Sequence, residues 1–250
     1  VWMMDAKDGC QQIKLKKYRN MDIYSLVELD QHVFAALNGS DSLFFDGVMT
    51  TLTSGFTWIP LYISLLYLII KNNETMAQIV LIIGCCCLCI FLAEGMSDFI
   101  IKPLVGRLRP SNDPLIKYTV DIVDNVRGDA YGFFSAHAAN TFSIATFFCL
   151  LVRNKLLSTC LIVWSLINCY TRIYLGLHYP GDILCGLIWG VIVGVVVYIL
   201  YHKIYFRISP KLNYISTQYT STGYSLIDID VVISILMFSY CYAIIVGLII

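Results

Sequence analysis

Long apolar segments recur along the 250-residue chain and are separated by short polar breaks. A helix needs roughly 20 mostly apolar residues to cross a bilayer, and six segments come close to that length. They cover residues 48–70, 76–101, 134–152, 156–177, 182–201 and 229–250. Each is predicted to be helical, because a lone strand would leave its backbone polar groups unsatisfied in lipid. The pattern therefore predicts an all-α, polytopic membrane helix bundle with about six transmembrane helices.

The segment 21–38 has a different pattern, in which apolar residues can share one helical face while acidic and amide side chains interrupt any spanning run. The basic sequence "KLKKYR" precedes it. This combination favours an amphipathic helix lying on the membrane surface; the alternative is a soluble helix packed on the extramembrane loops. The first twenty residues are polar and basic, so no cleavable signal peptide is expected.

We therefore expect a single membrane-embedded domain that covers residues 1–250. It would consist of an N-terminal basic and amphipathic segment (1–47), a core that carries the polar motifs (48–201) and an additional C-terminal span (229–250).

Composition supports the membrane class. Hydrophobic residues make up 58% of the chain and charged residues 14%, whereas soluble domains are about 25% charged. Lysine plus arginine and aspartate plus glutamate balance at 17 each, so net charge indicates no nucleic-acid partner. Most of the ten cysteines lie in apolar runs such as "CCCLC", without the histidines or regular spacing of a metal site. They are predicted to fill helix interfaces, and no metal or other cofactor is expected.

Polar residues form three short groups at the boundaries of the predicted spans. In a bundle of six helices, the loop after the second span, the start of the third span and the loop after the fourth span fall on one side. The groups are Lys102, Arg107 and Arg109; Ser135 and His137; and Arg172, His178 and Asp182. Singly, they are explained as snorkelling cations, a helix cap and an interfacial turn.

Together, the three groups suit phosphoryl transfer. Arginine binds phosphate through two N–H groups and lysine binds it as a point charge, so Lys102, Arg109 and Arg172 can meet one polyanion. Ser135 adds a hydroxyl, and the first amides of the third span add donors at the positive end of a helix. Arg107 is a candidate for a contact with the substrate headgroup or with the loop.

The spacing around the two histidines separates their roles. Pro180 suits the first turn of a helix, so His178 lies at the helix entrance with Asp182 four residues further on. The Asp182 carboxylate can hold one ring nitrogen and support the imidazolium that forms on attack, which makes His178 the predicted nucleophile. His137 follows Ser135 at another helix start, without an acid close in sequence, and is predicted to be the general acid.

These residues match the three motifs of the type 2 phosphatidic acid phosphatase family of integral membrane lipid phosphatases, which the chain resembles. The motif K-x6-R-P is matched in full by 102–110, P-S-G-H is matched at Ser135 and His137, and S-R-x5-H-x3-D is matched by 171–182 with threonine for serine. The order and separation of the motifs also fit. The resemblance covers roughly the second to the fifth predicted span.

The resemblance implies that the histidine matching His178 forms a phosphohistidine, that the one matching His137 protonates the leaving oxygen, and that no metal is required. The residues implied to hold the phosphate oxygens are Lys102, Arg109, Ser135, Ala136 and Arg172. Ala136 stands where the family has glycine, and its methyl group would cost stability if that position needed φ > 0.

Three further residues are candidates for supporting positions behind the phosphate site. Asp98 precedes Lys102 by four residues and can pair with it on a helix. Glu94 is a second acid near the end of the same span, where intramembrane acids are functional candidates. The alternative is that both acids are interfacial and partly wet. Thr171 keeps the hydroxyl of the serine in the family motif.

A site at the membrane boundary can receive a lipid headgroup while the tails stay between helices, so the predicted substrate is a lipid phosphate or pyrophosphate. The resemblance favours polyprenyl (undecaprenyl) pyrophosphate. The alternatives are phosphatidic acid, phosphatidylglycerophosphate or lipid A phosphate, or phosphoryl transfer to another lipid. A non-enzymatic lipid-phosphate binder is disfavoured by the intact His137, His178 and Asp182. The resemblance also implies a multi-pass protein of the plasma (inner) membrane with its active site at the extracytoplasmic face, while the oligomeric state is left open.

Overall fold

The computed structural model describes residues 24–123, 127–208 and 217–249, and the predicted all-α class is confirmed. Helix α1 covers residues 24–37 and forms a unit separate from the chain that follows. The helices of the second unit are α2 (Leu43–Thr53), α3 (Ile59–Lys71), α4 (Met76–Gly95), α5 (Lys102–Val105), α6 (Ala136–Val152), α7 (Lys155–Tyr174), α8 (Pro180–Ile208) and α9 (Leu226–Ile249). Among the described residues the only β-type pairings are two isolated bridges.

The helix predicted over 21–38 is present in its described part, but its place on a membrane surface stays a prediction. Residues 1–20, on which the expectation about a signal peptide falls, lie outside the described residues. The single domain of 1–250 likewise stays a prediction.

The predicted count of six spans is not confirmed. Within the described residues, four helical segments are long and apolar enough to cross a membrane: Met76–Val105, Lys155–Tyr174, Pro180–Arg207 and Leu226–Ile249. A fifth crossing results if α2 and α3 act as one bent span. Helix α6 has 17 residues, which makes it shorter than an ordinary span.

The first predicted span, 48–70, is broken rather than continuous. Helices α2 and α3 meet at 64°, because Ser54 is extended and a short 3₁₀ turn, Gly55–Trp58, follows it. The carbonyl groups freed at the end of α2 are satisfied by side chains: Thr57 Oγ1 donates to Thr51 at 2.6 Å, and Trp58 Nε1 donates to Leu52 at 2.8 Å. These bonds pair two of the backbone carbonyl groups that the bend releases from the helix.

Helices α6 and α8 run parallel and approach closely along a strip of glycines on α8. Gly186, Gly190 and Gly194 recur every four residues. A Cβ atom added at Gly186 would lie 2.6 Å from the carbonyl oxygen of Ser135, and one at Gly190 would lie 2.8 Å from that of Ala139. Because only glycine permits so short a distance between helix backbones, the first turns of α6 and α8 lie side by side.

The opposite end of the bundle is joined by the buried carboxylate of Asp228 at the start of α9. It accepts hydrogen bonds from the Tyr67 hydroxyl (2.9 Å) and the Asn72 amide (3.0 Å). A buried acid needs such partners. They fix the start of α9 to the end of α3, far from the polar motifs.

Candidate active site

Helix α7 ends in a turn that brings His178 to the start of α8. The N–H groups of Gly176 and Leu177 each donate to a carbonyl in the last turn of α7 at 3.0 Å, which is the Schellman pattern. Gly176 has a φ of +71°, a conformation that a Cβ atom disfavours. His178 follows with 2% exposure, and α8 begins at Pro180, as predicted.

Asp182 is fully buried and joins three parts of this region. Its Oδ2 accepts a hydrogen bond from the N–H of Tyr179 (3.1 Å), and its Oδ1 accepts one from Arg107 Nη1 (2.8 Å). Its backbone carbonyl accepts a third bond from the N–H of Ser135 (3.1 Å). Ser135 caps α6, with Oγ accepting from the N–H of Ala138. The start of α6 is thus fixed to the first turn of α8.

Arg109 contacts the histidine directly. Its Nη1 lies 3.1 Å from His178 Nε2 and donates to the carbonyl of Leu177 at 3.2 Å. A guanidinium only donates hydrogen bonds, so Nε2 accepts and carries a lone pair, and the proton of the neutral ring lies on Nδ1. Arg109 packs tightly against Gly128, where an added Cβ atom would lie 2.5 Å from the guanidinium carbon.

His178 is kept neutral by its surroundings. Burial lowers the pKa of His178 to about 4, while the nearby Asp182 carboxylate acts in the opposite direction. The distance from His178 Nδ1 to Asp182 Oδ2 is 3.7 Å, which is longer than a hydrogen bond. The predicted contact of these two side chains is therefore electrostatic in this structure, and Nδ1 has no hydrogen-bond partner among the described residues.

Arg172 and His137 lie in the same cluster. Arg172 Nη1 donates to Thr53 Oγ1 at 2.8 Å, and its Nε is buried without an acceptor in the described part of the chain. His137, the second residue of α6, is within electrostatic range of both Arg172 and His178. Thr171 is buried, but its hydroxyl donates to a backbone carbonyl one turn earlier on α7, so it supports the helix end that carries Arg172.

Lys102 and Asp98 pair with each other, and Asp98 is within electrostatic range of Arg109. Lys102 Nζ is 2.6 Å from Asp98 Oδ1, which is the pair that the spacing predicted. No hydrogen bond or ion pair connects Lys102 to Arg109 or His178 within the described ranges. Glu94 is exposed on α4.

Ala136 is the first residue of α6. Its backbone is helical, so the methyl group that replaces the family's glycine meets no left-handed strain.

Two residues of this region received no role from the sequence. Thr53 binds Arg172 across 119 residues. Ser111 is buried, and its hydroxyl has no partner among the described residues. No local spacing signals either of them. Arg107, with its two possible roles, is placed by the structure on Asp182 and over the Tyr179 ring, 4.1 Å from the ring centre.

Among the described residues, no group of three or more histidine, cysteine, aspartate or glutamate side chains is placed to hold a metal ion. The polar atoms that gather here are instead guanidinium N–H groups, an imidazole and hydroxyls, which are suited to an anion with several oxygens.

The sequence of this chain is similar to those of known proteins. The sequence profile of the PAP2 superfamily matches residues 83–206. The chain is 41% identical over 164 residues to the lipid A 4'-phosphatase of Bacteroides thetaiotaomicron, covering 65% of this chain and 72% of the relative. It is 32% identical over 164 residues to the lipid A 4'-phosphatase of Porphyromonas gingivalis, covering 65% and 68%.

A solved structure agrees with the fold. The crystal structure of a transmembrane PAP2-type phosphatidylglycerolphosphate phosphatase from Bacillus subtilis matches with a TM-score of 0.53. The match covers 72% of this chain and 88% of that chain at 20% identity, so it supports the fold alone.

The fold and the motifs define a membrane-embedded phosphatase, a hydrolase of phosphoric monoesters in lipids. The chain belongs to the PAP2 superfamily, the type 2 phosphatidic acid phosphatases. The predicted family and enzyme class are confirmed.

Proposed function

We propose that this phosphatase removes a phosphate from lipid A. The observation that carries the proposal is the 41% identity over 164 residues to a lipid A 4'-phosphatase, together with the second relative of the same name. Lipid A phosphate is one of the alternative substrates that the sequence leaves open. The comparisons favour it over polyprenyl pyrophosphate, for which they offer no specific support.

In the proposed first step, the lone pair on His178 Nε2 attacks phosphorus and the bond from phosphorus to the sugar oxygen breaks. His137 gives a proton to the departing oxygen, so the lipid leaves as an alcohol. Asp182 supports the positive charge that the phosphorylated ring carries. Arg109 and Arg172 hold the phosphate oxygens with Ser135 and the first amides of α6, and Lys102 supplies charge from the rim.

In the second step, water attacks the phosphohistidine, the P–N bond breaks, and His137 takes the proton that water releases. Inorganic phosphate leaves and both histidines return to their starting states. The chemistry is carried by these side chains without a metal ion. We also propose that the site faces the extracytoplasmic side of the inner membrane.

A direct test measures phosphate release by the purified protein in detergent with excess chelator. The panel contains lipid A, undecaprenyl pyrophosphate, phosphatidic acid and phosphatidylglycerophosphate, and mass spectrometry identifies which phosphate lipid A loses. We expect lipid A to have the highest kcat/KM. A higher value for undecaprenyl pyrophosphate would reject the proposed substrate, and complete dependence on added divalent metal would reject the mechanism. Labelled phosphate that stays in the lipid phase would indicate a phosphotransferase.

Two substitutions test the assigned roles. His178→Ala is expected to abolish turnover while the protein stays folded. His137→Ala is expected to lose on the order of 10²–10⁴-fold, the usual contribution of general acid catalysis, with a smaller loss for substrates that have good leaving groups. Near-normal turnover by the His178 variant would overturn the assignment.

A further inference from the structure

A cavity of about 310 Å³ extends from His137 into the apolar interior of the bundle. One wall is a single face of α6, from His137 through Ile144 to Phe148, and the rest comes mainly from α3 and α4. At 1.5 Å per residue, the α6 wall is roughly 16 Å long. One end of the cavity therefore lies at the phosphate site, and the other lies deep among aliphatic and aromatic side chains.

The cavity opens sideways between α3 and α4. Four of its lining residues are also exposed on the outer surface of the bundle: Tyr62 and Leu66 on α3, and Cys87 and Ile90 on α4. This surface belongs to α4, which is apolar enough to cross a membrane, and to α3, which is half of the bent α2–α3 pair, so the opening faces the region of the lipid tails. An apolar cavity with a lateral mouth and a phosphate-site histidine at its end suits the chain of a lipid phosphate.

Two amide oxygens in the cavity wall have no hydrogen-bond donor in the described part of the chain: Asn140 Oδ1 and Asn168 Oδ1. Asn168 is fully buried, and its Nδ2 donates to the carbonyl of Trp164 at 2.8 Å. That bond fixes the orientation of the amide, so its remaining atom is an acceptor. A buried acceptor without a donor is unfavourable, and a donor on the ligand would satisfy it.

The positions of the two amides limit where that donor lies. Asn140 is one turn below His137 on α6, and Asn168 is one turn before Arg172 on α7. One turn is about 5.4 Å. The donor must therefore lie close to the phosphate-bearing end of the lipid rather than far along its tail.

We propose that this cavity is the acyl-chain subsite of the enzyme, and that Asn140 and Asn168 accept hydrogen bonds from a hydroxyl or amide N–H near the phosphate. The inference rests on the proposed lipid phosphatase function and adds a requirement to it. Of two lipid phosphates with equal tails, the enzyme prefers the one that carries a donor at this point of the chain.

A matched pair of substrates tests the preference. 2-(Palmitoylamino)ethyl phosphate and 2-(palmitoyloxy)ethyl phosphate differ only in an N–H replaced by an ester oxygen, and 2-(3-hydroxypalmitoyloxy)ethyl phosphate returns a donor as a hydroxyl. We expect kcat/KM to be about 10-fold higher with a donor than without. Comparing kcat/KM for the amide substrate and the hydroxyl substrate shows whether the site prefers an N–H or an O–H donor.

Asn140→Leu and Asn168→Leu remove the acceptors with little change in size and are expected to bring the ratio of kcat/KM values towards one. Asn73→Leu is the matched control, because Asn73 lies in the loop at the opposite end of the bundle. A ratio near one in the wild type, or an unchanged ratio in both cavity variants, would overturn the inference. Hydrolysis of none of the three esters by protein that does hydrolyse lipid A would also overturn the inference, whereas hydrolysis of neither the esters nor lipid A would reject the proposed function itself.

A variant at the mouth of the cavity tests the acyl-chain subsite independently of Asn140 and Asn168. Leu66→Trp narrows the mouth at a position 40% exposed on the outer surface, so folding should tolerate it. KM for the palmitoyl substrates is expected to rise relative to KM for butyl phosphate. Equal changes in KM for the palmitoyl substrates and for butyl phosphate would show that no acyl chain enters this cavity. That result would overturn the inference even if an asparagine variant does not fold.

Discussion

Arg107 and Arg109 lie two residues apart on one loop and bind different partners. Arg107 binds the Asp182 carboxylate, and Arg109 binds His178 at Nε2, the atom proposed to attack phosphorus. A phosphate that enters must therefore draw Arg109 away from the ring, while Arg107 can stay on the carboxylate. In the proposed mechanism Arg109 binds substrate, and Arg107 positions Asp182.

Arg107→Met tests this positioning role. Asp182 would stay buried without its cation, and breaking a buried pair from one side costs about 3–5 kcal/mol. We expect the lower end of that range, because the Arg107 side chain is 23% exposed, together with a fall in kcat that exceeds the change in KM. Thermal unfolding and steady-state kinetics in detergent measure both effects.

The control for Arg107→Met is Lys117→Met, which removes an exposed cation from the same loop. A double-mutant cycle with Asp182→Asn separates the pair from other effects. The stability cost of Arg107→Met should largely disappear when residue 182 is neutral. An equal cost in both backgrounds would show that Arg107 does not act through Asp182.

The charge state of His178 leads to a second prediction. Burial lowers the pKa of its imidazole to about 4 from the ordinary value of 6.5. Lowering the pKa of a base extends its neutral form to lower pH, so the nucleophile is available throughout the physiological range. Nitrogen NMR of histidine-labelled protein, with His178→Gln to assign the signal, should give a midpoint near 4. A midpoint near 6.5 would show that burial does not dominate the opposing effect of Asp182 on the pKa of the ring.

At the scale of elements, the turn between α7 and α8 follows from local sequence. Gly176 permits the left-handed residue after α7, Pro180 begins α8, and a separation of four residues brings His178 near Asp182. The contacts of Arg107 and Arg109 with this turn were not predictable in detail. They cross 75 and 69 residues, and no periodicity or spacing encodes which arginine meets which partner.

Helix packing was predictable in kind but not in detail. The apolar periodicity identified the segments, yet the break at Ser54 lies inside a segment that was predicted as one continuous span, and it is stabilised by hydrogen bonds from Thr57 and Trp58. Likewise, glycines spaced by four on α8 indicate a close helix contact. They do not indicate that the partner is α6, the helix that carries Ser135 and His137.

Gly190→Ala and Gly84→Ala should have opposite effects on stability. Alanine is favoured over glycine inside a helix by roughly 0.5–1 kcal/mol. At Gly84, on α4, nothing lies within 4 Å of an added Cβ atom, so we expect a small stabilisation. At Gly190 the Cβ atom would lie 2.8 Å from a carbonyl oxygen of α6, and overpacking typically costs 1–3 kcal/mol. Thermal unfolding in detergent measures the difference, and equal shifts would contradict the close contact.

For the whole molecule, the direction of the helices determines which loops share a face. Helices α4 and α7 end at the polar cluster, and α6 and α8 begin there, so the described loop residues 106–123 and 127–135 lie on the site face. The turn at Arg153 lies on the opposite face, as does the start of α9, which is joined to the end of α3 through Asp228.

The distribution of basic residues in the described part of the chain bears on the proposed extracytoplasmic site, once the site's own cations are set aside. Arg107 and Arg109 are engaged by Asp182 and His178, so their presence on the site face is explained by chemistry rather than by orientation. Lys102 and Arg172 are set aside for the same reason. Of the other basic residues in the described part of the chain, Lys71, Arg153, Lys155, Lys203 and Arg207 lie on the opposite face, and Lys117 and Arg127 lie on the site face. This count favours the opposite face as cytoplasmic, because positive charges near span ends mark that side, while the basic N-terminal residues 7–19 and Lys211 lie outside the described residues.

Reporter fusions test this orientation. Alkaline phosphatase, which is active only outside the cytoplasm, is expected to be active when fused after Leu115 in the site-face loop and inactive when fused after Asn154. A green fluorescent protein, which folds in the cytoplasm, should show the reverse pattern, and immunoblots correct for expression. Because Leu115 and Asn154 are separated by the single helix α6, the pair also tests whether this 17-residue helix crosses the membrane. Equal activity at both positions would show that α6 does not span, and the opposite pattern would place the site in the cytoplasm.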